Sequence, residues 1–206
     1  MRELKPYQTL DGLRTAIDNG GRFYDLFSEA NDQVLTRGEL AKAAGVFTAG
    51  VNAFLFFEMA QQDLQPGDRQ AALQLFDSDL LKSYQRFKPS TLLPSAVEKA
   101  GIAGSSLVVT GFPQFVENRS QLKAFIVVPA GKAFVLVPIF DKFDIYEVFD
   151  DRQMRKPGTM VATVRGQRLS HDGPIRFGGV LRKLKFKDKT EKSHNFYLET
   201  VYYTKL

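Results

Sequence analysis

The sequence predicts an α+β fold in which an N-terminal helical bundle, residues 1–104, precedes a C-terminal antiparallel β-barrel or sandwich, residues 105–206. Three observations support it. Apolar residues recur at helical spacing in the first half and in short runs rich in Val, Ile, Phe and Tyr in the second. Lys and Arg number 11 against 13 Asp and Glu in residues 1–104, but 17 against 10 in residues 105–206, so the net charge changes from −2 to +7. Segment 101–106 has the Gly and Ser composition of a linker.

Composition limits the chemistry. The chain has 206 residues and no cysteine, which excludes disulfides, thiolate metal sites, iron–sulfur ligation and a cysteine nucleophile. A chain of this length buries a core without a cofactor or metal, so neither is predicted. The first residues, Met1 to Pro6, hold no apolar leader, and a cytoplasmic location is expected. The uncharged run 43–57 ends at Glu58, which favours a core helix over a membrane span.

The first half contains five predicted helices, taken in chain order. Thr9 can cap a helix that Gly20 stops, and a short helix is expected around Phe23 to Phe27. Thr36-Arg37-Gly38-Glu39 is a capping box flanked by apolar Leu35 and Leu40, which predicts a helix over 37–61. Pro66-Gly67 breaks the chain before a helix capped by Asp68, which Asp77 and Asp79 interrupt or cap again. Ser95 and Glu98 form a second capping box for a short helix that ends at Gly101.

The second half divides into seven predicted strands, near 106–111, 121–129, 133–140, 143–149, 159–166, 175–187 and 194–205. Pro129-Ala130-Gly131-Lys132 is a hairpin connection. The strands that flank it are apolar on both faces, so they are expected at the centre of the sheet. Seven short strands with no helical pattern between them favour a small closed barrel or a sandwich.

Residues 28–39 are similar to a degenerate EF-hand loop, with Leu35 at the eighth position and Glu39 at the twelfth. A calcium loop needs oxygen ligands at its first, third and fifth positions and glycine at the sixth. Ala30 and Gln33 stand at two of these positions. We therefore expect no calcium binding, with Glu39 serving its capping box.

No catalytic residue is predicted. The carboxylates of 77–79 and 141–151 lack a phosphate loop or other convergent partner, so they are interpreted as caps and solvated surface. Ser170-His171-Asp172 is a local turn, and a catalytic triad is assembled from separated segments. His171 and His194 are accordingly expected in surface turns. An enzyme with an unrecognised site is the third functional hypothesis.

The remaining feature is a basic stripe. In a strand through 181–187, the alternation of side chains places Lys183, Lys185 and Lys187 on one face. Arg165 and Arg168 lie in a neighbouring strand and turn. Basic residues near aromatics on a small barrel resemble the oligonucleotide-binding (OB) architecture, in which cations follow phosphates and rings stack on bases.

The leading hypothesis is a non-enzymatic module that binds single-stranded nucleic acid or another polyanion through these five cations. Lysines of an exposed strand also serve solubility and discourage edge pairing, and this structural interpretation stays open. The alternative function is a protein–protein scaffold or assembly subunit that uses the helical half, and the aromatic terminal strand, as interface.

Overall fold

The computed structural model describes residues 1–18, 31–46, 50–130, 133–164, 166, 169, 172–184 and 194–206. For residues 118–130 and 133–141 it describes the backbone. The described residues form six α-helices, a 3₁₀ turn and seven strands, and five of the strands close into a barrel. The α+β prediction and the prediction of a barrel are therefore confirmed.

The helices are α1 (Leu10–Ile17), α2 (Arg37–Ala44), α3 (Val51–Ala60), α4 (Pro66–Gln74), α5 (Ser78–Phe87) and α6 (Val97–Ala100). The strands are β1 (Arg2–Glu3), β2 (Ser90–Leu92), β3 (Ser106–Ala130), β4 (Ala133–Phe149), β5 (Thr159–Val164), β6 (Ile175–Lys183) and β7 (Phe196–Lys205). The described helices are four to ten residues long, and the predicted bundle is not confirmed. None of the helices in the described ranges is long and apolar enough to cross a membrane.

The capping box at the start of α2 is confirmed, because Thr36 and Glu39 bind each other's backbone N–H groups. The single helix predicted over 37–61 is wrong. α2 ends at Ala44, and Gly45 adopts a left-handed φ of 71° while the N–H of Val46 donates to the Ala41 carbonyl oxygen. This closing motif satisfies the last carbonyls of α2 and ends the helix. The short helix expected near Phe23 lies outside the described residues.

Two predicted caps are also wrong. α4 begins at Pro66 with Gln65 as its N-cap, because proline is already set for the first helical position, and Asp68 lies inside the first turn. Ser95 does not cap α6; its N–H and Oγ donate to Asp150 at 3.0 and 2.6 Å, since an ionised acceptor makes the stronger bonds. Asp77, in contrast, caps α5 by accepting from the Leu80 N–H at 2.7 Å, as predicted.

The barrel has the strand order β3-β4-β5-β7-β6 and closes because β6 also pairs with β3. The prediction of an antiparallel sheet is not confirmed, because β5 and β7 pair in parallel, as do β1 with β7 and β2 with β3. The barrel is therefore mixed. Its interior holds Leu107, Val109, Val148, Val161, Ile175, Phe177, Leu181 and Leu198, with Val97 of α6 at one end.

β3 is one continuous strand that changes partner after Gly111. Residues 106–111 pair with β6, and residues from 112 onward pair with β4. Gly111 lies at the change, where a Cβ atom would overlap the Phe149 carbonyl oxygen, so only glycine fits. We call residues 120–130 of β3 and 133–142 of β4 the arm. Within the described residues these two segments pair only with each other, so the prediction that they form the centre of the sheet is wrong.

The helical half packs on the barrel wall made by β3, β6 and β7. Val108 and Tyr202 belong to the core of the helices, and the Tyr202 hydroxyl donates to the Ala44 carbonyl oxygen at 2.9 Å. Both edges of β7 are paired, with β6 on one side and β5 and β1 on the other. The terminal strand therefore offers no free edge as an interface. The boundary between residues 104 and 105 stays a prediction, although β1, β2 and this shared core cross it.

Candidate functional site

The structure describes one of the five predicted binding residues. Lys183 is the last residue of β6, is exposed, and pairs with Phe196 in register. Lys185, Lys187, Arg165 and Arg168 lie outside the described residues. Lys183 has the same strand parity as Leu181, which is fully buried in the barrel, so Lys183 lies at the rim where β6 leaves the barrel.

The neighbouring cation has a different role. Arg182 forms an ion pair with Glu199 of β7, with 2.7 Å between Nε and Oε2. Lys183 has no ion-pair partner among the residues that the structure describes. Among the described residues, Lys183 therefore differs from Arg182, whose guanidinium is already held by a carboxylate.

A shallow cavity of about 470 Å³ lies where β3 changes partner. It is lined by Phe112, Pro113, Gln114, Phe149, Asp151, Arg152, Met154, Asp172 and Gly173. Arg152 lies over the ring of Phe112, with 5.5 Å from its Cζ to the ring centroid, and donates to the Asp172 carbonyl oxygen. Aromatic rings beside a guanidinium form a surface on which a flat ligand can stack.

Asp151 adds an acceptor to this cavity. Its Oδ2 atom accepts from Nε of Arg155 at 3.2 Å, whereas its Oδ1 atom is buried and has no hydrogen-bond partner among the described residues. A buried acceptor without a partner costs free energy, and this atom is closed to solvent. The sequence pattern did not reveal this cavity, because Phe112, Phe149 and Asp172 are far apart in the chain and meet only at the change of partner.

Asp144 and Asp150 are used in structural bonds. Asp144 is buried and accepts from the Gly166 N–H at 3.0 Å. Burial acts to raise the pKa of Asp150, but the hydrogen bonds from Ser95 and the ion pair with Lys156 outweigh it and lower that pKa. No group of three potential metal ligands occurs in the described part of the chain.

His194 lies between two carboxylates. Its Nδ1 is 3.6 Å from Oε1 of Glu98 on α6, and its Nε2 is 3.4 Å from Oε1 of Glu147 on β4. It is nearly buried, so the predicted surface turn is wrong for this histidine. Glu98 also accepts from the N–H groups of Asn195 and Phe196, which fixes the start of β7. His171 lies outside the described residues.

The loop that is similar to an EF-hand is described from Asn31 onward. Asp18 accepts from the N–H groups of Asp32 and Gln33 at 3.2 and 2.8 Å, which closes the loop through the protein's own backbone. Glu39 is buried in its capping box. Burial raises the pKa of Glu39, and Asp18 and Asp32 add to the rise, although the bonds from Thr36 oppose it. The absence of calcium binding stays a prediction.

Comparison of the sequence with protein-family models finds no match, and comparison with curated proteins also finds none.

Proposed function

We propose that this protein is a non-enzymatic module that binds single-stranded nucleic acid, or a polyanion of similar charge spacing, on its barrel. The observation that carries the proposal is the closed five-stranded barrel in which the connection from fourth to fifth strand is rich in lysine. Lys183 is the last residue of β6 before this connection, and Lys185 and Lys187 follow it in the sequence. Arg165 and Arg168 supply further cations in the connection from third to fourth strand.

The barrel is OB-like in this proposal. OB barrels bind oligonucleotides on the face of their second and third strands and with the connection between the fourth and fifth. The corresponding strands here are β4 and β5, and the corresponding connection joins β6 to β7. The helices support this assignment because α3 packs on β3, β6 and β7, the other wall of the barrel.

The positive charge of the connection between β6 and β7 supports phosphate binding. Residues 181–192 hold six Lys and Arg against two Asp and Glu. Side chains two residues apart on an extended segment are roughly 6–7 Å apart, near the separation of successive phosphates in an extended strand. Arg182 is excluded from this set by its ion pair with Glu199.

The cavity at the partner change of β3 is linked through β4 to His194, which follows the same connection. Glu147 contacts His194, which follows the lysine-rich segment, and Phe149, two residues further along β4, lines the cavity. In this proposal the bases of the bound strand stack on Phe112 and Phe149.

The test is fluorescence anisotropy of a labelled single-stranded oligonucleotide titrated with the full chain at several salt concentrations. The variant Lys183→Gln, Lys185→Gln, Lys187→Gln should lose affinity, and its slope of log affinity against log salt should flatten by about 2, at roughly 0.7 for each phosphate contact. The control variant Lys5→Gln, Lys82→Gln, Lys88→Gln removes the same charge from exposed positions of the helical half and should bind like the wild type.

A ring variant separates stacking from charge. Phe112→Leu keeps most of the volume but removes the ring, so affinity should fall by about 1–3 kcal/mol with an unchanged salt slope. Equal behaviour of the two lysine variants, or no binding at low salt by the wild type, would contradict the proposal and favour the protein–protein scaffold.

A further inference from the structure

We propose that the arm is a self-association element, and that a second copy of this chain covers it by stacking arm against arm. The arm is a ribbon of two strands, and none of the other described strands pairs with residues 120–130 or 133–142. A two-stranded ribbon is marginally stable in water by itself.

The composition of the arm is that of a protein interior. Residues 124–130 and 133–140 contain no charged side chain and no Asn or Gln. In an antiparallel pair, directly opposite residues share a face, and the face alternates along each strand. The register therefore assigns each of these residues to one of two faces.

The register assigns the larger residues to one face. Its register pairs are Phe125 with Pro138, Val127 with Leu136 and Pro129 with Phe134, and the pair Leu122 with Phe140 follows beyond the irregularity at Lys123. The opposite face carries small and β-branched residues, in the pairs Ala124 with Ile139, Ile126 with Val137 and Val128 with Val135. Both faces are apolar, and a sequence of this kind is typical of strands that are covered on both sides.

The area of the phenylalanine face fits a protein partner. Burying three phenylalanine side chains removes roughly 450 Å² from water at about 150 Å² each. The Leu and Val residues between them bring the face close to the ~800 Å² per partner of a stable interface.

A second copy fits this face better than a lipid surface does. Both long edges of the arm have backbone groups without a strand partner in the described structure. In hydrocarbon each such group would cost several kcal/mol, whereas in a stack of two arms the edges stay at the sides, in water.

Two prolines favour face-to-face stacking of the two arms over edge-to-edge strand pairing. Pro129 in β3 and Pro138 in β4 have no N–H to donate, so each strand is interrupted as a template for a further strand. The missing N–H groups do not affect face-to-face stacking, because stacked arms make no backbone hydrogen bonds to each other. A two-fold axis at the pair of Val127 and Leu136 brings Phe125 of each copy opposite the pair that holds Phe134. It also sets the tips of the two arms at opposite ends.

The test is the molar mass of the full chain by light scattering during gel filtration, over protein concentrations of about 1–100 μM. Two arm variants are compared with the wild type. The first is Phe125→Ser with Phe134→Ser. The second replaces residues 122–140 by Asn-Gly, which joins Gln121 to its register partner Asp141 by a tight turn and leaves the barrel strands intact. The control, Phe87→Ser with Leu93→Ser, removes two exposed apolar side chains from the helical half.

We expect the wild type and the control to have at least twice the monomer mass, and both arm variants to be monomers with folded circular dichroism spectra. Loss of two central phenylalanines should weaken association roughly 1,000-fold. A monomeric wild type at the highest concentration, or unchanged association after removal of the arm, would overturn the proposal. Flotation of a monomeric wild type with phosphatidylcholine vesicles, lost in the shortened variant, would also overturn it and assign the arm to lipid.

Discussion

Glu39 serves as a cap and is also buried at the start of α2. Its Oε2 accepts from the N–H and the hydroxyl of Thr36 at 3.0 and 2.9 Å, while its Oε1 has no partner among the described residues. Burial next to Asp18 and Asp32 raises the pKa of Glu39 above its ordinary value of 4.5. The folded state therefore binds a proton more readily than the unfolded chain at this carboxyl.

This carboxyl makes stability depend on pH. Between the ordinary pKa and the raised one, the folded state holds more protons than the unfolded state, so the free energy of unfolding falls as pH rises through that window. Glu39→Gln retains a capping oxygen but cannot ionise. The stability of the wild type relative to Glu39→Gln should therefore be greatest at acidic pH and decline as pH rises. Urea unfolding of both proteins at a series of pH values measures this difference in the free energy of unfolding. Parallel curves of stability against pH would show that Glu39 is not the source of the pH dependence.

Single residues were predictable where the cause is local. Thr9, Thr36 and Asp77 cap their helices as the sequence indicates, because a cap needs only the backbone within one turn. Ser95 and His194 were not predictable, because their partners, Asp150 and Glu147, are distant in the sequence. The cavity residues escaped prediction for the same reason, and four of the five predicted cations lie outside the described residues.

The contact between α3 and β6 joins the helices to the barrel. A Cβ atom on Gly178 would overlap Sδ of Met59 and touch Leu55, so helix and strand approach closely only because this residue has no side chain. Seven of the ten residues of α3 are buried, which is why this helix carries the core of the helical half.

Adding one methyl group at residue 178 should force α3 and β6 apart. Gly178→Ala should destabilise the protein by about 1–3 kcal/mol, the usual cost of overpacking. In combination with Met59→Ala, the total loss should be smaller than the sum of the two single losses, because the second change makes room for the first. The control Gly67→Ala has open space around its Cβ and should raise stability by up to about 1 kcal/mol. Additive losses in thermal unfolding would contradict this account.

Elements were predicted best where apolar residues face one core. The strands near 106–111, 143–149 and 159–166 correspond to parts of β3, β4 and β5. The helix over 37–61 was predicted too long because its apolar run continues past Gly45, while the left-handed turn at that glycine decides its end. The arm was predicted as a central pair because apolar residues on both faces of a strand indicate that both faces are buried. The pattern does not show whether the residues that bury them belong to the same chain or to a second copy.

At the scale of the whole molecule, the change of charge and periodicity near residue 104 coincides with the start of the barrel. Contacts nevertheless cross that point. Tyr202 packs on Phe56, with ring centroids 6.2 Å apart, and Arg2 of β1 lies over both rings. The parallel pairing in the barrel was not predictable from periodicity, which assigns a residue to a face but does not choose the neighbouring strand.

These crossing contacts predict the behaviour of a divided chain. With a specific protease site inserted between the exposed Ala103 and Gly104, the cleaved halves should elute together in gel filtration, because β1, β2 and the α3 core remain docked. They should separate only in denaturant. Two separate peaks after cleavage in native buffer would show that the halves fold as independent units.

The position of β7 in the chain has a consequence for biosynthesis. It pairs with β1, β5 and β6 and helps to cover α3, yet it is translated after all of them. At about 5–20 residues per second, roughly 7–30 s pass on the ribosome between completion of α3 and the arrival of β7. During that interval the phenylalanine-rich helix and the open edges of β5 and β6 lack their last neighbour. The nascent chain is therefore most vulnerable to aggregation late in translation, and slower elongation would prolong that exposure.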